Sequence, residues 1–126
     1  MNDRKSFRIS DRIKSLGFAM EGIRTFFRTQ HNAWIHIAAA IVVVIAGFLL
    51  KVSAEQWCWL ISAIAMVLIA EMFNTAIEFL TDLASPEIHP KAKMVKDVAA
   101  GAVLISALAA IAIGLIIFLP KLVLLF

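Results

Sequence analysis

WCWLISAIAMVLIAEMFNTAIEFLTDL, from Trp57 to Leu83, starts apolar and ends acidic, with no helix breaker before Pro86. At about 1.5 Å per residue a helix over this stretch is long enough to cross a hydrocarbon core of about 30 Å. Upstream, WIHIAAAIVVVIAGFLL from Trp34 to Leu50 carries no formal charge, which suits a thin or tilted membrane span. Downstream, Val98 to Leu119 is apolar, rich in Ala and Ile, and closed by Pro120. The reading is an all-α integral membrane protein: an N-terminal amphipathic surface helix plus three transmembrane helices over about residues 34–50, 57–83 and 98–119. Residues 1–126 form a single membrane domain, of which 1–33 are a cytoplasmic amphipathic segment.

Composition points the same way. Of 126 residues, 62% are hydrophobic and 17% charged, and mean hydropathy is +0.91. Soluble domains run to about 45–50% apolar, and one this small would leave about a third of its unfolded surface in water. The single cysteine, Cys58, excludes an intramolecular disulfide and argues against a cysteine-based zinc site. The first span is too far from the start and too long for a cleaved leader.

Basic residues set the orientation. Arg4, Lys5, Arg8, Arg12, Lys14, Arg24 and Arg28 precede the first span, and Lys91, Lys93 and Lys96 separate the second from the third. Only Lys51 and Lys121 fall on the other side, so the N-terminus and second connector are expected in the cytoplasm. Trp34, Trp57 and Trp59 stand at span starts, where indoles favour the interface. Between Asp11 and Arg28, Ile13, Leu16, Met20, Ile23 and Phe27 recur at helical spacing with charged residues on other faces. Such a helix lies in the membrane surface or packs against the spans.

Acids inside a span are functional candidates by default. Glu71, Asn74, Glu78 and Asp82 fall within an arc of roughly 80° on a helix. Measured from Trp57, Glu71 lies roughly 21 Å into the span and Glu78 roughly 31 Å, at the inner boundary. A deep carboxylate can accept a proton from an alcohol, and one at the wet boundary can hold Mg²⁺. The structural alternative is that Glu71 and Asn74 only bind spans together. In the connector SPEIHPKAKMVKDVAAGA, Lys96 can pair with phosphate; alternatively Lys96 and Asp97 are a membrane anchor and a helix cap.

The strings EMFNTAIE, Glu71 to Glu78, and HPKAKMVKDVAAGAVL, His89 to Leu104, resemble the signature of the small prokaryotic diacylglycerol kinase family, which includes undecaprenol kinases. The resemblance covers nearly the whole chain. It implies a homotrimer of three-span subunits that moves the γ-phosphate of ATP to a membrane lipid alcohol in the bacterial inner membrane, with sites shared between subunits. By position, it implies that Glu71 is the general base with Asn74 beside it, that Glu78 binds Mg²⁺, and that Lys96 and Asp97 contact nucleotide. The backbone of Glu87, Ile88 and His89 would cradle ATP, and Arg12 and Phe18 would touch it from the N-terminal helix. In TQHNAWIH, Thr29 to His36, the family usually has an acid, the second metal ligand, where this chain has Gln30. Glu21 lies about 180° from Gln30 on a continuous helix and would not replace it. The HPKAK and FLPK forms look more like the undecaprenol branch. Two other classes stay open: a proton or ion relay, which calls for more acids in the outer half of the spans than WCWLISAIAM offers, and a non-catalytic relative, which Gln30 favours.

Overall fold

A computed structural model describes residues 8–125, and every regular element among them is an α-helix. These are α1 (Ile9–Thr29), α2 (His31–Leu49), α3 (Ala54–Ala84) and α4 (Pro90–Val123), of which the last three are long and apolar enough to cross a membrane. Arg4 and Lys5, counted in the orientation, lie outside the described residues.

Each helix is longer than the apolar run that announces it, because hydropathy marks hydrocarbon depth and not hydrogen bonding. The expected third span begins at Val98, but α4 starts at Pro90, whose missing N–H costs nothing at the first helical position. Pro120 does not close α4: the helix runs on to Val123, and the Leu124 N–H returns to the Pro120 carbonyl at 3.3 Å. A proline this close to the end forfeits one hydrogen bond without leaving a long helix to kink.

A tight turn joins α2 to α3. The Val52 N–H bonds to Gly47 O at 3.1 Å and the Lys51 N–H to Phe48 O at 3.2 Å, with Lys51 left-handed at φ 49°. That is a Schellman ending with a lysine where glycine is usual. Ser53 and Gln56 then cap α3 reciprocally, through Ser53 Oγ accepting at 3.2 Å and Gln56 Oε1 accepting at 3.0 Å. Around the turn Val52, Leu60 and Ile117 are buried together, flanked by Val43, Trp57, Ile113 and Phe118.

Leu60, Ala63, Val67, Glu71 and Thr75 recur every three or four residues along α3 and are all buried. That face packs chiefly on α4, and α2 lies more lightly against α3. Only 11% of the most apolar window of α2, 28% of α3 and 11% of α4 is buried within the chain. Most of the apolar surface must therefore meet lipid or another copy. On α1 the stripe Ile13, Leu16 and Met20 is exposed and only Phe26 is buried, so the chain's own spans do not cover it.

Candidate functional site

Helix α3 carries Glu71 on its packed face, one turn beyond Val67. Its side chain is 9% exposed, and its Oε1 stands 2.8 Å from His36 Nε2 of α2. An ionised carboxylate can only accept, so in that state Nε2 carries the hydrogen. The bond matters because a buried charge without a partner costs several kcal/mol. One turn further on, Thr75 donates its hydroxyl to the Glu71 backbone carbonyl at 2.9 Å.

Asn74 and Glu78 face the same way and are half-buried. Asn74 Nδ2 donates to Glu78 Oε1 at 3.1 Å, along the helix and not across to another. The asparagine therefore does not tie spans together within this chain. Its Oδ1 is buried and has no hydrogen-bond partner. Mg²⁺ is usually held by one or two carboxylates plus substrate phosphates and water. A half-buried carboxylate beside an unsatisfied amide oxygen fits that pattern. Among the described residues no group of three or more His, Cys, Asp or Glu could enclose a metal alone.

Further along, Lys96 Nζ of α4 pairs with Asp82, and Lys93 Nζ pairs with Asp97 at 2.5 Å. The cap reading for Asp97 is corrected: the N-cap of α4 is His89, whose Nδ1 accepts from the Lys91 N–H at 3.1 Å. Lys96 and Asp97 stand inside the helix, on adjacent residues whose side chains are held by different partners. Glu87 and Ile88 are exposed in the connector, where Ser85 Oγ donates to Glu87 O at 3.2 Å.

Gln30 occupies the elbow between α1 and α2. It is extended (φ −110°, ψ 107°) and half-buried; its N–H bonds to Phe26 O at 3.0 Å, and its carbonyl accepts from the Ala33 N–H at 3.3 Å. The elbow is fixed by Trp34 Nε1 donating to Phe27 O at 3.0 Å. α1 is unbroken from Ile9 to Thr29 and the Gln30 N–H still bonds to Phe26 O, so the helix breaks only after Gln30 and Glu21 lies on the opposite side of α1 from it. Arg12 and Phe18 are exposed on α1 and point roughly 120° apart, so they do not share a face.

Residues 17–118 match the sequence profile described as prokaryotic diacylglycerol kinase. The chain belongs to that family. An undecaprenol kinase of Bacillus subtilis (strain 168) is 45% identical over 109 residues, covering 86% of this chain and 89% of that protein. A diacylglycerol kinase of Synechocystis sp. is 38% identical, covering 86% of this chain and 62% of the relative. One from Escherichia coli (strain K12) is 34% identical, covering 79% and 81%. The prokaryotic diacylglycerol kinase family comprises membrane lipid kinases, and this chain is an enzyme of that class.

The sequence reading missed His36. The signal was present: it is the one polar side chain between Trp34 and Leu50, and an ionisable group in a span needs a partner.

Proposed function

We propose that this chain transfers the γ-phosphate of ATP to the hydroxyl of a membrane lipid alcohol, undecaprenol in preference to diacylglycerol. The observation that carries the reading is the buried Glu71 carboxylate on the same helix as Glu78, which lies about 10 Å nearer the α3–α4 connector. Phosphoryl transfer asks little covalent chemistry of a protein and much positioning. Glu71 takes the proton of the lipid hydroxyl, with Asn74 beside it. Lys96 holds phosphate, exchanging Asp82 for it; an exposed ion pair is worth about 0–1 kcal/mol, so the exchange is cheap. Asp97, Arg12 and Phe18 border the nucleotide, with the backbone of Glu87 to His89.

Glu78 and Gln30 would hold Mg²⁺, which when bound neutralises phosphate charge. Gln30 offers it a neutral oxygen only.

The depth of Glu71 and the basic connector favour work at the cytoplasmic face of the bacterial plasma membrane, with the N-terminus inside and α1 in the interface. A homotrimer with shared sites is supported by the uncovered helices. A groove of about 430 Å³ along α2, α3 and α4 is lined by large apolar side chains interspersed with small ones, among them Ala39, Ala40, Ala107 and Gly114, where another helix could approach closely. The preference for undecaprenol rests on the 45% identity to a protein of that name. The test is ATP-dependent phosphorylation in detergent micelles offered undecaprenol and diacylglycerol in parallel. Faster turnover of undecaprenol is expected; equal or reversed rates would overturn the preference, and no product from either would overturn the kinase reading.

A further inference from the structure

We infer that His36 is a positioning residue for Glu71: it holds Oε1 through Nε2, leaving Oε2 as the oxygen available to the acceptor hydroxyl. The inference rests on the reading of Glu71 as the base and deepens it. Two elements 35 residues apart in sequence meet at this bond, 2.8 Å long. A glutamate on a helix has three rotatable side-chain bonds, and neither Thr75 nor any residue of α3 holds its carboxylate: the Thr75 hydroxyl is spent on the Glu71 backbone. His36 is thus what fixes the carboxylate in one orientation. Its own side chain is 24% exposed and lines the inner end of the groove along α2, α3 and α4. The ring therefore stands between the groove and the acid.

A purely structural bond between α2 and α3 would make a different prediction. Its loss would lower stability and leave turnover per folded molecule unchanged. Loss of positioning lowers kcat and spares ATP binding, because a small misplacement of a reacting group costs up to about 10²-fold in rate.

The experiment compares the full chain with His36→Leu, His36→Gln and His36→Asn in detergent micelles, reading kcat, KM for ATP and Tm. The amide nitrogen of glutamine reaches as far from the backbone as Nε2 does; that of asparagine reaches only as far as Nδ1. His36→Leu is expected to lose about 30-fold in kcat with KM for ATP within about twofold, and His36→Gln to recover most of the loss. A kcat in His36→Leu equal to that of the native chain would overturn the inference. Should His36→Leu not fold, the two amides decide: His36→Gln active and His36→Asn impaired supports positioning, and equal rates overturn it. Glu71→Gln assayed beside them keeps the two readings apart, since full activity there removes the base itself, whatever His36 does.

Discussion

Where α2 turns into α3, Val52, Leu60 and Ile117 are buried together and the Trp57 indole lies across Gly47; at the other end of α3, Asn74 and Glu78 are half-buried and Asp82 and Asp97 are exposed. The first end has capped helices and a small buried apolar cluster. The second has an orphaned amide oxygen and side chains paired on the surface. The apolar end is held by the caps of its turn and by the Trp57 ring against Gly47. Groups meant to receive a charged ligand must stay reachable, and their pairings must be weak enough to exchange. The contrast separates a packed, capped end from one whose polar groups stay reachable, with Glu71 and His36 at the seam.

The largest effect expected from breaking this division is at the seam. Glu71→Gln keeps the volume and an acceptor oxygen for His36 but removes the base, so turnover should fall by about 10²–10⁴-fold while ATP binding and Tm change little. Steady-state kinetics alongside calorimetric ATP titration would show it, and most of the activity remaining would end the assignment. At the polar end, Lys96→Ala and Glu78→Ala should each weaken nucleotide binding by about 10–100-fold, as loss of a charge-assisted contact does. Extra Mg²⁺ should not rescue the lysine variant, and unchanged ATP affinity in both would contradict the placement.

The apolar end should answer in stability alone. A Cβ at Gly47 would sit 2.6 Å from Trp57 Cη2, and that ring already packs against Phe48, tilted by 51° with centroids 4.9 Å apart. Gly47→Val should cost about 2 kcal/mol by overpacking, read as a lower Tm with kcat unchanged at low temperature. A fall in kcat without a fall in Tm would break the division. The smallest effect belongs to Gln30, in the elbow between α1 and α2. Gln30→Glu should tighten Mg²⁺ and raise activity by about tenfold, or about 1.4 kcal/mol. Equal half-saturation in a Mg²⁺ titration of both proteins would show that this position does not serve the metal.

The residue types made much of this legible. Apolar runs announce the three long helices, and the 3.6-residue period puts Glu71, Asn74, Glu78 and Asp82 on neighbouring faces. Helix ends were less legible: Pro90 opened α4 and Pro120 failed to close it, because capping and the last turn's hydrogen bonds decide termini. The shared face was also uneven, with Glu71 buried, Glu78 half-buried and Asp82 exposed, a gradient that depends on where α4 leaves α3 uncovered. His36 was visible as a polar residue in a span, but its partner was not.

By itself the sequence determined that this protein belongs in a membrane, how many helices it has to cross with, and which acids are costly to place there, since each of these follows from local transfer energy and helical period. Only the tertiary structure decided which of those acids is covered and what covers it. The bond between His36 and Glu71 joins α2 to α3 across 35 residues, and no local term can set a distance that depends on how two helices pack.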